Sequence, residues 1–409
     1  MSGRGNAPHA DAALVDAVGA AISQAFSLRR TVQKNLAVLT VALLRVLGAA
    51  RGGYGCLSLA TIYRVFPTPG TPHAREKRLR RFLVNPRLDP RGVTNGLARF
   101  VFGRRGRGLW PIVFDQTKAG LTQALVAGVP YAGRVLPLSV YTFQYPWEEP
   151  AVLSQNRLEE IFLTDVQTAL PQGVQGVFIG DRGYARAALL SQSRYDARLY
   201  VIRGRGGTGV EYNGRKCKLR DLPCGNGRPV RYEGVYYQAK ERVPVDVIAY
   251  HDPSYQEPWW LLVPAGSRNV LPTRAVVALY RERMQVEHCF RDFKTHLGLR
   301  GLKLRVHVAE RTGRLLLGFM VAYCLALALG GSTEALQARA AFEIRRRRPR
   351  HGTRRTLSVL SVAMQMLSHP QWQERANHRL RCITTRLADQ RGLLPRSPPQ
   401  LGESIEVAA

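Results

Sequence analysis

Two short hydrophobic runs, each followed by an aspartate, constrain the fold of this chain more than any other feature. One run spans residues 109–114 and ends on Asp115, and the other spans residues 177–180 and ends on Asp181. Residues 135–143 predict another strand, and residues 158–170 carry apolar side chains at helical spacing. Strands followed by a helix and a further strand predict an α/β layer with a mixed sheet.

The regions around this layer differ from it in composition. Residues 1–105 predict helices only, and residues 199–268 are β-rich, with hairpin turns predicted at Asn213-Gly214 and Asn226-Gly227. Helix resumes at Thr273 and dominates to about residue 340. Residues 341–409 form a basic region, helical at first and loose from about Gly392. The mixed layer therefore occupies residues 106–198 and 269–340, and residues 199–268 are inserted between its two parts.

The charge of the chain indicates the kind of partner that it binds. There are 60 Lys and Arg residues against 29 Asp and Glu residues, so the formal net charge is +31. Such a surface favours a polyanion, which is nucleic acid before it is an anionic membrane. The longest uncharged apolar stretch runs from Leu315 to Gly330, and its 16 residues predict a buried helix rather than a bilayer span. Membrane is therefore excluded as the main partner.

A basic helix is predicted near residues 75–83, after helical segments at residues 31–50 and 57–65. Its cationic side chains are Arg75, Lys77, Arg78, Arg80 and Arg81. Helix, turn, helix and basic helix is an arrangement typical of a DNA-contacting bundle. A solvated basic face on an ordinary bundle has the same pattern. This segment alone leaves both interpretations open; of the two, we adopt an all-helical DNA-binding region over residues 1–105.

No complete zinc-binding or nucleotide-binding motif occurs in the sequence. The six cysteines are scattered without a C-x-x-C pair, which predicts reduced thiols inside a cell. Gly204-x-Gly206-x-x-Gly209 matches the dinucleotide-binding pattern, but strand and turn residues follow it where that pattern needs a helix. We interpret it as a glycine loop in a β region. No phosphate-binding loop of the G-x-x-x-x-G-K-[ST] type is present.

Three carboxylates are candidates for chemistry. Asp115 and Asp181 each follow a buried strand, where a carboxylate is held rigidly and can bind a hard divalent cation. The alternative for each is an aspartate that only caps a turn. The third candidate, Glu287, lies on a helix predicted from Thr273, its N-cap, to Leu297.

One stripe of this helix carries Glu287 among side chains suited to phosphate binding. Tyr280, Arg283, Glu287 and Lys294 fall within an arc of about 60° at the edge of the apolar face. An exposed Arg283–Glu287 pair would explain two of the four, but not Tyr280 and Lys294 in register with them. Three carboxylates beside a cationic stripe suit phosphoryl transfer on DNA with two divalent ions about 4 Å apart. Tyr280, Arg283 and Lys294 would bind the phosphates around the scissile bond.

These residues resemble a known family. Tyr280-x2-Arg283-x3-Glu287-x6-Lys294 is similar to the Y-R-E-K signature of bacterial insertion-sequence DDE transposases. Asp115-Gln116-Thr117 and Asp181-Arg182-Gly183-Tyr184 resemble the two acidic motifs of that family, and the β-rich insertion is also similar. The resemblance covers residues 75–330, roughly. It implies that residues 106–198 and 269–340 form a ribonuclease H-like catalytic core.

The resemblance also implies cofactors, partners and a reaction. Asp115, Asp181 and Glu287 would be the catalytic residues and would hold two Mg²⁺ ions, which Mn²⁺ could replace. A homodimer would bring two transposon ends together on double-stranded DNA, in the bacterial cytoplasm at the nucleoid. Water would cleave a strand at each end, and the 3′-OH would then attack target DNA.

A tryptophan in the β-rich insertion is a further candidate. In relatives that cut through a DNA hairpin, a tryptophan at this place stacks on a flipped base, and Trp260 resembles it. The alternative, which we favour, is that Trp260 is an ordinary strand core residue. Its neighbour Trp259 would point to the opposite face of the strand, so one of the two should be buried.

Three functions fit the sequence. The first is a cut-and-paste DNA transposase that uses Asp115, Asp181 and Glu287. The second is a catalytically inactive DNA-binding protein derived from a transposase, although all six signature positions are intact. The third is a stand-alone ribonuclease H-like nuclease, which would cleave DNA strands without joining them.

Overall fold

The computed structural model describes residues 7–49, 58–88, 90–119, 122–144, 154–238, 240–252, 254–295, 309–349 and 354–398. Thirteen α-helices and eleven β-strands lie in these ranges. The helices are α1 Ala7–Ala25, α2 Arg30–Ala49, α3 Leu59–Arg64, α4 Pro72–Leu83, α5 Pro90–Phe102, α6 Gln155–Ala169, α7 Ala187–Tyr195, α8 Thr273–Glu282, α9 Met284–Thr295, α10 Ala309–Gly330, α11 Thr333–Phe342, α12 Val359–Ser368 and α13 Pro370–Ala388. The strands are β1 Gly108–Ala119, β2 Thr122–Tyr131, β3 Arg134–Gln144, β4 Val174–Gly180, β5 Leu199–Arg203, β6 Gly209–Tyr212, β7 Arg215–Lys218, β8 Gly225–Asn226, β9 Val230–Tyr237, β10 Val243–His251 and β11 Trp259–Pro264.

One mixed sheet organises the described residues, as the sequence predicted for residues 106–198. Its order is β3-β2-β1-β4-β5-β11-β10-β9-β6-β7, and β8 pairs with β10 beside this path. The first three strands are antiparallel, whereas β4 is parallel to β1 and β5 is parallel to β4. Strand β11 pairs antiparallel with β5, so the strands of the β-rich region continue the same sheet.

One of the two predicted hairpin turns is present. Asn213 and Gly214 both have positive φ angles and join the antiparallel strands β6 and β7. The prediction for Asn226-Gly227 is wrong. Strand β8 ends at Asn226 and pairs in parallel with β10, so this turn does not join a hairpin. An Asn-Gly pair supplies the turn geometry, but the strand on each side must also find its partner.

The helices at the two ends of the described chain pack together. Helix α1 packs on α2 and α13, and α2 packs on α10 and α12. Arg45 on α2 donates to Asp11 on α1 and, at 3.2 Å, to the Asn377 side chain on α13. The N-terminal helices therefore share one core with helices that follow the sheet in the sequence.

Helix α10 lies at the centre of this core. Its segment from Leu315 to Leu327 is buried throughout, which confirms the buried helix predicted there. By length and composition, both α2 and α10 could cross a membrane, but most of each helix is buried inside the fold. Their apolar surfaces are therefore used in packing.

Residues 392–398 are held by hydrogen bonds, in contrast to the loose tail predicted from about Gly392; the rest of that tail lies outside the described residues. Backbone amides of Leu393 and Leu394 donate to carbonyls of Phe100 and Val101 on α5, and Leu394 is buried. Arg107, just before β1, donates through its amide to the Arg396 carbonyl. Backbone hydrogen bonds and one buried leucine thus outweigh the local preference of a Pro-containing sequence for a loop.

Candidate active site

Asp115 and Asp181 lie side by side on neighbouring parallel strands. Val113 on β1 is in register with Ile179 on β4, so each aspartate stands two residues beyond the paired position. The apolar residues before each aspartate are buried, and the register places both carboxylates toward the carboxyl-terminal edge of the parallel pair. The prediction that each aspartate follows a buried strand is correct for Asp181 but wrong for Asp115, because pairing with β2 extends β1 four residues further, to Ala119. The β order alone brings together two residues that are far apart in sequence.

Glu287 approaches this edge from the helical side, but not on one continuous helix. The predicted helix from Thr273 to Leu297 is divided into α8 and α9 by a tight turn at Arg283, where amide–carbonyl bonds link residues three apart. The predicted N-cap is also wrong, because Pro272 occupies that position and no side chain caps the helix. The predicted end at Leu297 lies outside the described residues. Such local tightening of a helix frequently marks a functional site.

Arg283 lies between the carboxylates. Its Nη1 atom is 3.5 Å from Asp115 Oδ2, and its Nη2 donates to Glu287 Oε1 at 2.8 Å. Its side chain is only 11% exposed, whereas that of Glu287 is 46% exposed. The turn at Arg283 thus directs a mostly buried cation at two of the three acidic candidates.

Asp115 is in an environment that favours its neutral form. Burial raises the pKa of Asp115 to about 6, and the nearby charges of Asp181 and Glu287 act in the same direction. The amide of Gln116 and the cation of Arg283 oppose this rise in pKa. Three carboxylates close enough to repel one another, with one pKa raised, are typical of a catalytic site.

Tyr280 lies beside Asp181, and its predicted contact with a DNA phosphate stays a prediction. The residue is buried, its ring packs edge-on against Trp259 at 5.0 Å, and its hydroxyl lies 3.5 Å from Asp181 Oδ1. Burial raises the pKa of Tyr280 to about 12, so the hydroxyl stays protonated. It donates a hydrogen bond to the Asp181 carboxylate. Tyr280 therefore contacts an acidic candidate directly.

Lys294 lies on α9 seven residues after Glu287. Two helical turns separate them, or about 10 Å along the axis, on the same side of the helix. Lys294 is therefore aligned with Glu287 but is not gathered around Asp115 and Asp181.

Tyr184 is a site residue that the sequence identified only as part of a motif. A short 3₁₀ turn over Arg182–Tyr184 follows Asp181 and turns the tyrosine back toward β1. Its ring packs on Phe114 at 4.7 Å, and its hydroxyl lies 3.5 Å from Asp115 Oδ1. Each aspartate thus has a buried tyrosine hydroxyl beside it, and only the tertiary structure pairs Tyr184 with Asp115.

A cleft of about 560 Å³ opens beside Asp181. Trp260 lines it, while Trp259 is buried against Tyr250, Tyr255 and Tyr280, so the two tryptophans alternate as predicted. Cationic side chains surround the opening: Arg182, Arg203 and Arg205. Glu257 pairs with Arg182 at 3.5 Å and with Arg203 at 2.8 Å. The cleft therefore combines an aromatic surface with a cationic rim.

The glycine loop also lines this cleft. Gly204 and Gly206 border it, and a Cβ atom on Gly206 would lie 3.3 Å from the Trp260 ring. Strand β6 follows the loop, as the interpretation of Gly204-x-Gly206-x-x-Gly209 required. The glycines thus allow close approach of the backbone to Trp260 and do not begin a nucleotide-binding helix.

The carboxylates of Asp115, Asp181 and Glu287 have the right chemistry to bind a hard cation, but they are not arranged around a common metal position. Carboxylate oxygens are the ligands that Mg²⁺ prefers. In the described part of the chain, however, no three His, Cys, Asp or Glu side chains are grouped closely enough to hold a metal ion. Arg283 stands where such a group would form, between Asp115 and Glu287.

Comparison with protein families gives one match in this region. Residues 158–325 match the family model described as transposase DDE domain. The matched segment is about two fifths of the chain and contains Asp181 and Glu287, while Asp115 precedes it. None of the curated proteins compared with the chain matches it. The match supports a DDE-type transposase and hence an enzyme that acts on DNA.

Proposed function

We propose that this chain is a DNA transposase that cleaves strands at the ends of a transposon and transfers them into target DNA. The observation that carries the proposal is the convergence of Asp115, Asp181 and Glu287 around Arg283, within a fold whose DDE-domain match includes two of the three. The resemblance to insertion-sequence transposases with the Y-R-E-K signature supports the same assignment.

The catalytic core in this proposal is ribonuclease H-like. The order β3-β2-β1-β4-β5, with an antiparallel half and a parallel half, supports it. Asp115 lies on β1 and Asp181 directly follows β4, and these two strands are neighbours in that order. Residues 199–268 would then be the β-rich insertion, although β5 itself belongs with the parallel half of the sheet.

Asp115, Asp181 and Glu287 would hold two Mg²⁺ ions, with Mn²⁺ able to replace them. Bound there, the ions would activate the attacking oxygen and stabilise the leaving one. Arg283 now pairs with Asp115 and Glu287, so its guanidinium would have to leave these two carboxylates before they could bind metal ions. A backbone phosphate is a suitable new partner for its guanidinium, since arginine binds carboxylate and phosphate with the same geometry.

The surroundings of the carboxylates fit a DNA strand. Arg283 and Lys294 supply cations on the helical side, and the hydroxyl of Tyr280 fixes Asp181. Trp260 offers a ring face in the cleft beside Asp181, which suits stacking on a flipped base. Most of the net charge of +31 would contact phosphates without regard to sequence. We place the working enzyme in a homodimer on two transposon ends, at the bacterial nucleoid.

The test uses a DNA fragment with the inverted repeats that are expected to flank the gene. Purified protein with Mg²⁺ or Mn²⁺ should cleave at the repeat ends and join the 3′ ends to a second DNA. Asp115→Ala, Asp181→Ala and Glu287→Ala should each abolish both steps and leave DNA binding intact. Glu211→Gln, on β6, is the matched control and should cleave normally.

Each alternative predicts a different result. Cleavage that persists in any of the three alanine variants would show that this mechanism is wrong. Metal-independent binding without cleavage would indicate the inactive DNA-binding protein. Cleavage without strand joining would indicate the stand-alone nuclease.

A further inference from the structure

A buried ionic network lies behind the helix that carries Glu287. Arg134, the first residue of β3, donates through Nε to Asp292 on α9, and the Tyr323 hydroxyl on α10 donates to the same carboxylate oxygen at 2.8 Å. The Asp292 side chain is fully buried and that of Arg134 is 9% exposed. Three elements that are far apart in the sequence therefore meet at one carboxylate.

The turn between β2 and β3 adds a second link to the same helix. Ala132 and Gly133 have positive φ angles and form the two-residue turn between Tyr131 and Arg134. The Gly133 carbonyl accepts from Arg134 Nη1 at 2.9 Å and from His288 Nδ1 at 3.1 Å. The tip of this hairpin thus contacts α9 next to Glu287 and again one turn later.

The same hairpin also supports the strand that carries Asp115. Residue Val126 of β2 is the register partner of Asp115, and β2 then runs to the turn that contacts α9. Asp292 is five residues after Glu287, which places it about 140° around the helix from Glu287. Asp292 therefore cannot join the carboxylates of the site, but its hairpin connects β1 to α9.

We propose that the Arg134–Asp292 pair is a positioning device that fixes the distance and rotation of Glu287 relative to Asp115. This inference rests on the proposed function for its consequence in catalysis. A buried ion pair loses much of its attraction to desolvation, and apolar residues of similar volume stabilise a core as well or better. Its value here is orientation, because Arg134 Nε from β3 and the Tyr323 hydroxyl from α10 meet at one oxygen of Asp292 and so link α9 to both elements.

Two variants and one matched control separate orientation from general stability. Asp292→Asn removes the ion pair, and Tyr323→Phe removes one hydrogen bond while the ion pair stays. The control is Asp246→Asn, because Asp246 forms an equally buried pair with Arg231 in the β-rich region, with side chains 1% and 2% exposed. If Asp292→Asn does not fold, Tyr323→Phe still tests the proposal.

The first measurement is amide hydrogen exchange in the full-length protein without metal or DNA. We expect exchange in residues 284–295 to become at least about tenfold faster in Asp292→Asn, with a smaller change in Tyr323→Phe. Asp246→Asn should leave these residues unchanged and affect β9 and β10 instead. Unchanged exchange in α9, or the same change in both Asp→Asn variants, would overturn the proposal.

The second measurement is the Mg²⁺ concentration that gives half-maximal strand cleavage. Loss of an outer residue that orients a metal ligand typically costs 10–100-fold, so we expect an increase of that order in Asp292→Asn and little change in Asp246→Asn. Faster exchange of α9 with an unchanged Mg²⁺ requirement would show that the pair holds the helix without positioning Glu287. If the unsubstituted protein does not cleave, the proposed function fails while hydrogen exchange still decides whether the pair anchors α9.

Discussion

Replacing Asp115 by asparagine should make the metal-free protein more stable while it abolishes strand cleavage. Burial raises the pKa of Asp115 from 3.8 to about 6, so above pH 6 the folded protein must hold a buried negative charge that the unfolded chain holds in water. At about 1.4 kcal/mol per pH unit, this difference costs roughly 3 kcal/mol of folding free energy. The side-chain oxygen of the asparagine would accept the Gln116 amide in the same way without carrying the charge.

The pH dependence of this effect has a definite sign. Between about pH 4 and pH 6 the folded state holds a proton that the unfolded state has lost, so the stability of the unsubstituted protein falls as the pH rises through this window. The advantage of Asp115→Asn should therefore be complete near pH 8 and about half as large at pH 5. Near pH 4 it should be small.

The assay is urea unfolding in EDTA at pH 5 and pH 8, followed by fluorescence. The matched control is Asp246→Asn, which should lower stability at both pH values because it leaves the buried Arg231 without its partner. An Asp115→Asn protein that is no more stable than the unsubstituted one at pH 8 would refute the reasoning. A gain of the same size at both pH values would do so as well.

Three further sets of variants test other parts of the structure. Trp260→Ala should change stability little but weaken binding of a DNA hairpin end by about 10–100-fold in a gel-shift titration. Trp259→Ala should instead lower the free energy of unfolding in urea by about 3–5 kcal/mol, because that ring is buried among three tyrosines. A triple alanine variant removes three exposed cations: Arg345, Arg347 and Arg348. It should reduce the slope of log affinity against log salt concentration by up to about 3 for any DNA sequence. An unchanged slope would show that this segment does not contact phosphates. Gly330→Ala should lower the thermal midpoint sharply, since its Cβ would lie 1.9 Å from the Val359 carbonyl oxygen, whereas Gly207→Ala, which meets nothing, should not.

The sequence predicted those features that depend on local pattern. The apolar runs that precede Asp115 and Asp181 are visible in the sequence, and a helical wheel aligns Arg283 with Glu287. Strand β2 was not predicted, because Gly128 and Pro130 interrupt its β-type pattern. The break at Arg283 was not predicted either, because the residues on both sides of it have helical periodicity.

Other features could not be read from local pattern, because they join distant parts of the chain. Tyr184 pairs with Asp115 only through the register of β1 and β4. Asp292 is one acidic residue on an amphipathic helix until Arg134 and Tyr323 are placed beside it. The segment after Gly392 has a loop-like composition, and its fixed position follows from the α5 carbonyls that accept its amides.

The packing of α1 and α2 against α12 and α13 has a consequence for the synthesis of this protein. On the ribosome, the first two helices emerge with apolar faces whose partners are made some 300 residues later. At roughly 5–20 residues per second, those faces wait for at least about 15 seconds before they can be covered. The nascent chain therefore exposes apolar surface of the kind that chaperones bind. A polypeptide released before α13 would leave the apolar faces of α1 and α2 open to aggregation with other chains.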